Sequence, residues 1–434
     1  MSRVKLFARG RLADLDDATR ARLLDRAPQD DPKLGTSVAA ILADVRERGD
    51  EALLEMAERF DGVRLEAVEV PRKAWDAAVD ALEPPVRGGL ERAAANIRRF
   101  HEAQMPTEVS LEVEPGVTIT RAWAPLERVG VYAPGGRAAY PSSVLMGTVP
   151  ARAAGVGEVI VCSPPGPEGA PPREVLAACA LGGADRLFAL GGAGAVGALA
   201  YGTASVPRVD AIVGPGNRWV TEAKRQVAGE LLIDSPAGPS EVLVLADGDA
   251  DPRFAALEMM AQAEHDPDAA CVLLTTSEKL AEDVASALAE ELASAPRAEI
   301  CAQALETSGA ILIADSPDQA VDFVNAYAPE HLSVMTADAA ADARRVTTAG
   351  TTFVGPSASV AFGDYMTGAN HVLPTAGRAH SFSGLSTLNY LRSFTIQEID
   401  AEGAASMADD VAALAAVEGL PAHAAAAAAR GGSR

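Results

Sequence analysis

Residues Ala237–Asp266 read A-G-P-S-E-V-L-V-L-A-D-G-D-A-D-P-R-F-A-A-L-E-M-M-A-Q-A-E-H-D. A Gly/Pro turn feeds an apolar run, Val242–Leu245, with the length and composition of a buried strand. A helix follows from about Asp251, because Phe254, Leu257 and Met260 recur at helical spacing. Gln262 and His265 stand three apart near its end, which on a helix places both side chains on one face. Two readings are open. The pair is half of a metal site, or His265 is a cation beside the negative end of the helix dipole.

Outward from this strand–helix pair the alternation continues in both directions. Upstream, strands at Val129–Tyr132, Val159–Cys162, Arg186–Leu190, Val209–Val213 and Leu231–Asp234 alternate with helices at Ser142–Ala154, Glu174–Leu181 and Trp219–Val227. A Gly-rich turn and a further helix follow Leu190. Downstream, strands at Cys271–Thr275, Ile311–Ala314, Leu332–Met335 and Thr352–Val354 repeat the pattern. Alternating strands and helices imply parallel sheets with right-handed crossovers. The expected fold is therefore α/β, with two adjacent, incomplete Rossmann-like units, an N-terminal arm and a C-terminal helical tail. Residues 1–35 form the arm. Residues 36–128 form a helical lead-in that packs with the second unit. Its first helix is capped by Thr36 or Ser37, others open at Pro71 and Pro85, and a strand runs Val117–Trp123. Residues 129–238 make the first unit and 239–385 the second. Residues 386–434 make the tail, helical over Ala405–Glu418 and frayed in its final Ala-rich stretch.

Composition narrows the function. The chain has 434 residues, 48% hydrophobic and 22% charged, as expected of a globular protein with more than one domain. A net charge of -23 and only 4% aromatics exclude a phosphate-tracking or base-stacking surface, so no nucleic-acid partner is expected. Cys162, Cys179, Cys271 and Cys301 are widely spaced and read as buried thiols of a reducing, cytoplasmic compartment. The N-terminus has no secretory pattern. The uncharged stretch Leu187–Pro207 is rich in glycine and lies in a strand–helix pattern, so it reads as core and not as a membrane span.

Six histidines are candidates for chemistry: His101, His265, His331, His371, His380 and His423. Glu330-His331 stands at the start of a strand and offers two proton acceptors of different basicity; an ordinary surface pair is the alternative. The loop G-D-Y-M-T-G-A-N-H places Asp364 and His371 together; a turn-forming Asp with an incidental His is the alternative. Glu418 and His423 in the tail could reach a site on the same or another subunit. Gln262, His265, Asp364 and His423 would make a mixed N/O set suited to Zn²⁺ or another exchangeable divalent ion. Gly192–Gly197 spells G-x-G-x-x-G after a strand, with Asp210 near the distance of a ribose-binding acid. The turns A-P-G-G at Ala133 and G-P-G-N at Gly214 are further candidates to offer backbone N–H groups to phosphate.

Taken together the sequence resembles the histidinol dehydrogenase family. The resemblance rests on V-G-V-Y-A-P-G-G, G-P-G-N-R-W-V-T-E-A-K-R-Q-V, I-D-S-P-A-G-P-S-E-V-L-V-L-A-D, Q-A-E-H-D, A-P-E-H-L and G-D-Y-M-T-G-A-N-H-V-L-P-T, in family order over nearly the whole chain. It implies an NAD-dependent four-electron oxidation of L-histidinol to L-histidine through bound L-histidinal. It implies one zinc ion per subunit on Gln262, His265, Asp364 and His423, with Glu330 and His331 as proton acceptors. Ser240, His371 and Glu418 match positions that contact substrate, as Gln262, His265, His331, Asp364 and His423 also would. Tyr132 and Asn217 match positions that contact NAD. The third such position is usually Gln and here is Gly194, so that the G-x-G-x-x-G spelling accompanies a lost side chain. The resemblance also implies an intertwined homodimer in which the tail, with Glu418 and His423, completes the neighbour's site. The rival expectations are a related zinc- and NAD-dependent dehydrogenase of another small alcohol, and a zinc hydrolase using Glu330 to activate water.

Overall fold

The apolar runs become two parallel sheets, each buried on both faces by helices. The computed structural model describes residues 4–26, 31–135, 139–235 and 238–431. Strand β1 is Ala8–Arg11, β2 Val109–Glu114 and β3 Val117–Pro125. The first unit holds β4 Arg128–Tyr132, β5 Glu158–Ser163, β6 Arg186–Ala189, β7 Ala211–Val213 and β8 Leu232–Ile233. The second holds β9 Glu241–Ala246, β10 Ala270–Thr275, β11 Gly309–Ile313, β12 His331–Met335 and β13 Thr351–Val354. Strand β14 is Leu391–Ile399.

The first sheet runs β6-β5-β4-β7-β8 and the second β11-β10-β9-β12-β13, all parallel. Both therefore have the same Rossmann-like order, one strand short, with a reversal of winding beside the first strand of each unit. The arm adds β1 to the second sheet, parallel to β11. Its apolar residues Ala8 and Leu12 enter that unit's core. A third sheet, β14-β3-β2, is antiparallel and joins the tail to the lead-in.

The lead-in packs extensively on the first unit, which goes beyond the expectation from sequence, and also meets the second, where Ile97 shares a core with Val372 and Leu385 and Asn96 bonds Met366. Val38, Leu42 and Val45 on helix Pro32–Arg48 lie in one core with Ala193, Val196 and Leu199. Trp75, Ala93 and Ile97, from helices Arg72–Asp80 and Pro84–Glu102, lie in another with Val144 and Val149. The physical reason is surface shape. Helix Gly192–Tyr201 is built of small residues, and a Cβ on Gly197 would sit 3.2 Å from Leu42. A helix with so little side-chain bulk lets a second helix approach closely and bury its aliphatic stripe.

Local chemistry differs from expectation in three further places. Asp31 caps helix Pro32–Arg48, accepting from the Lys33 and Leu34 N–H groups. Thr36 and Ser37 lie inside that helix and hydrogen-bond back to Pro32 and Lys33. Helix Pro252–Ala263 is capped by Asp251, but Phe254 and Leu257 face outward, and Ala255, Ala256, Met259 and Ala263 make its buried side. The tail is two helices, Ala401–Val417 and Pro421–Ala428, so most of the stretch expected to fray is helical. Of the quoted turns, Gly136 and Ala237 lie outside the described residues. Among the described residues no helix is long and apolar enough to cross a membrane.

Candidate active site

The second unit gathers its chemistry at the amino ends of its strands, where helix Pro252–Ala263, antiparallel to the sheet, also ends. Glu330-His331 stands at the start of a strand, as expected: His331 is the first residue of β12, paired with Val242 near the start of β9. Three residues before Glu330, helix Pro317–Tyr327 stops, and Ala328 turns the chain with a left-handed φ of 49°. A non-glycine residue in that region is costly and persists only where its surroundings hold it.

Glu241, at the head of β9, fixes both members of the dyad through its backbone. Its N–H donates to Glu330 Oε2 at 2.7 Å, and its carbonyl lies 3.0 Å from His331 Nδ1. A carbonyl only accepts, so His331 carries its proton on Nδ1 and presents the Nε2 lone pair. Nε2 is buried without a hydrogen-bond partner and faces Asp364 Oδ1 at 3.8 Å. Burial, aided by the nearby His371 and His265 rings, pushes His331 down to about 4. It is therefore a neutral imidazole at physiological pH. Burial pushes Glu330 well above the ordinary carboxylate range, against the Glu241 N–H that favours its ionised form. A group so raised is a stronger base once ionised.

Asp364 lies in the last turn of the short helix Val360–Tyr365, and His371 returns beside it. His371 Nδ1 donates to the Asp364 carbonyl at 3.1 Å, which leaves Nε2 as its basic nitrogen. Burial drives His371 down to about 4 and Asp364 up to about 6, the latter helped by Glu258. The loop is pinned to the first unit's side of the molecule. Asn96 donates to the Met366 carbonyl at 2.7 Å, and Asn370 to the Met146 carbonyl at 2.8 Å. A Cβ on Gly368, whose φ is 93°, would lie 2.5 Å from the Asn96 carbonyl oxygen, so only glycine permits this contact. A mostly apolar cavity of about 190 Å³ opens between this loop and the helices bearing Leu90 and Leu145, with Asp364 and Tyr365 in its wall.

Gln262 is buried in the last turn of its helix, and His265 follows just past the cap, exposed. Desolvation lowers the His265 pKa, which favours the neutral imidazole, against the nearby Glu264. Gln262, His265 and Asp364 thus offer an amide oxygen, an imidazole and a desolvated carboxylate whose ion-pair neighbours among the described residues are histidines. That chemistry fits a divalent cation, which would restore the ionised state of Asp364. His423 and Glu418 are exposed on the tail, and among the described residues no three His, Cys, Asp or Glu side chains converge closely enough to hold a metal. Ser240 lies half-buried immediately before β9.

The first unit offers its carboxyl edge. Asn217 is exposed there, capping helix Arg218–Val227 by accepting from Trp219 and Val220 N–H. Within the G-P-G-N turn itself the Gly214 N–H is engaged, donating to Asp234. Tyr132 is buried, and its hydroxyl accepts the Gly192 N–H at 3.1 Å. The G-x-G-x-x-G reading is corrected on two counts. The motif follows β6, the edge strand, and not the strand at the reversal point. Asp210 precedes β7 at the opposite, amino edge, where it accepts the Glu127 and Arg128 N–H groups. A side chain grown on Gly194 would meet Met56 Sδ 3.0 Å from its Cβ, so methionine fills the space beside that position.

A family model for histidinol dehydrogenase matches residues 24–431. The chain belongs to the histidinol dehydrogenase family. Histidinol dehydrogenase from Methanosarcina mazei is 49% identical over 415 residues, covering 95% of each chain. That from Thermobifida fusca is 48% identical over 411 residues, covering 94% of each. The crystal structure of histidinol dehydrogenase from Elizabethkingia anophelis superposes with a TM-score of 0.94 at 32% identity, covering 99% of this chain and 98% of that one. Membership makes the protein an oxidoreductase and supports a role in histidine biosynthesis through oxidation of histidinol.

Sequence reading of the histidinol dehydrogenase site missed two supporting acids. Glu258, one turn before Gln262, is buried and accepts from Ser359 Oγ and from the Val360 N–H, which anchors the helix that carries Asp364. Its signal was a lone acid in the apolar run A-L-E-M-M. Glu241 stands inside the run P-S-E-V-L-V-L, where nothing in the residue pattern marks its role. All four cysteines are buried free thiols, and burial raises each of them. That leaves no nucleophilic thiolate for a covalent aldehyde route.

Proposed function

We propose that this protein oxidises L-histidinol to L-histidine in two hydride transfers to NAD⁺, with L-histidinal held between them and one divalent cation, zinc, per subunit. The carrying observation is the Glu330–His331 dyad, two buried acceptors of opposite character locked by one backbone residue. His331 Nε2 takes the hydroxyl proton in the first oxidation. Glu330 takes a proton from the water that adds to the aldehyde in the second. Gln262, His265, Asp364 and His423 would hold zinc, which supplies a fixed template for the substrate's nitrogen atoms. His371, Ser240 and Glu418 orient the substrate. Asn217 and Tyr132 lie where NAD⁺, the hydride acceptor, would be held, with Gly194 contributing backbone only.

The active unit is a homodimer in this reading, with the tail of one subunit over the site of the other. Exposed apolar groups on both surfaces support it: Phe254, Leu257 and Phe362 on the second unit, and Leu414, Val417 and Leu420 on the tail. The substrate assignment favours histidinol over other small alcohols because Glu418 and His371 suit a cationic amine and an imidazole. A hydrolase is disfavoured by the family's oxidoreductase chemistry. Steady-state production of NADH from histidinol, at two NADH per histidine formed, tests the proposal. Histidine formed without NADH, or NADH from simple alcohols only, would overturn it.

A further inference from the structure

Arg26, in the N-terminal arm, reaches Glu241 across 215 residues of sequence. Its Nε donates to Oε1 at 2.8 Å and its Nη2 to Oε2 at 3.0 Å, a two-pronged ion pair with both side chains buried. The same Nη2 donates to the Tyr327 carbonyl at 2.8 Å, and the guanidinium stacks 3.4 Å from the centre of the Tyr327 ring. Nη1 donates to the Leu23 carbonyl at 2.8 Å. Ala376 N–H completes Glu241 by donating to Oε1 at 2.8 Å.

These bonds end on the two segments that carry the dyad. Glu241 supplies the amide that holds Glu330 and the carbonyl that holds His331. Tyr327 closes the helix from which the strained Ala328 leads into Glu330. A planar guanidinium can grip both oxygens of a carboxylate with two fixed N–H groups while bonding a carbonyl, a fork geometry that an ammonium lacks. A general base misplaced by about 1 Å loses much of its rate while ground-state binding survives.

We propose that Arg26 and Glu241 form a clamp that positions Glu330 and His331, making the N-terminal arm a working part of the active site. Both are positioning residues, since neither side chain meets the dyad directly. The inference rests on the reading of Glu330 and His331 as proton acceptors.

The test uses full-length, zinc-loaded Arg26→Gln and Arg26→Lys, alone and combined with Glu330→Gln. Arg26→Gln should lower kcat for histidinal oxidation by roughly tenfold or more with KM moved less than about twofold, the pattern of a lost transition-state alignment. Arg26→Lys, which keeps the charge and loses the fork, should fall between it and wild type. In the Glu330→Gln background Arg26→Gln should cost less than about twofold more, because the group it positions is already gone. An unchanged kcat, a loss carried by KM, or the same factor in both backgrounds would overturn the clamp. Should Arg26→Gln fail to fold, the split between kcat and KM in Arg26→Lys decides. A wild-type rate of histidinal oxidation by Glu330→Gln alone removes the base assignment, whereas full additivity removes only the clamp.

Discussion

His331 Nε2 lies 3.8 Å from Asp364 Oδ1, with no hydrogen-bond partner of its own. The gap is too long for a hydrogen bond. With Nδ1 committed to the Glu241 carbonyl, the Nε2 lone pair is left free beside the carboxylate. A substrate hydroxyl brought up to Nε2 would meet the base there, while Asp364 is free to serve as a cation ligand.

That arrangement predicts separate roles for the dyad. Glu330→Gln keeps shape and polarity and removes basicity. It should still deliver the first NADH from histidinol in a single turnover, while histidinal oxidation falls by about 10²–10⁴-fold, the usual value of a general base. His331→Asn should show the reverse bias. Stopped-flow NADH absorbance with each substrate measures both. Equal slowing of both steps by Glu330→Gln, with metal and substrate still bound, would end the assignment.

Metal dependence follows from the charge state of the site. Asp364 is held up at about 6 by burial, with neutral imidazoles around it. Prolonged chelation should abolish turnover and Zn²⁺ should restore it. His265→Ala should weaken metal retention by at least ~100-fold, since it removes a ligand and not merely an outer contact. Metal content after dialysis reports this independently of activity. Full turnover in metal-free protein contradicts it.

Much of this was legible in the sequence, and the rest was hidden for identifiable reasons. The strands of both units announce themselves because parallel strands buried on both faces read as unbroken apolar runs, as Val242–Leu245 does. Strands β2 and β14 do not, since nearly all their residues are exposed in the single chain. The packing of the lead-in could not be read, because an aliphatic stripe such as Val38, Leu42, Val45 does not specify its partner. Among site residues, Gln262 and His265 share a motif, and Asp364 and His371 share a loop. Arg26 escaped because an arginine 215 residues from its carboxylate carries no local pattern. Glu241 acts on the dyad through its backbone, which a side-chain motif does not reveal.

Stability should also depend on one histidine remote from the chemistry. His101 is fully buried, and desolvation lowers its pKa, although its Nδ1 meets the Ile97 carbonyl at 2.8 Å. The folded state thus binds this proton less readily than the unfolded chain. Stability from His101 is fully present above the ordinary histidine value near ~6.5 and is lost as pH falls below it, by at most ~1.4 kcal/mol per pH unit. His101→Gln cannot titrate. Its urea midpoint should fall less than that of wild type between pH 7 and pH 5, the other histidines being common to both. Parallel curves would contradict the burial argument.

The sharing of sites between subunits can be counted. His423 is exposed on the tail of its own chain, while His331 is buried in the body. Suppose the tail serves the neighbour, and His331→Ala is mixed with His423→Ala under subunit exchange. Half the dimers are then mixed. In each of these, one site pairs an altered body with an altered tail. The other pairs an intact body with an intact tail. One working site in two, in half the dimers, gives roughly a quarter of wild-type activity from two inactive parents. If the tail served its own chain, every site would carry one defect and the mixture would stay inactive. Labelling one parent confirms that exchange occurred, so a silent mixture with mixed dimers present would place the tail in cis. Zn²⁺ in excess throughout ensures that a weakened His423→Ala site is not silent merely for want of metal.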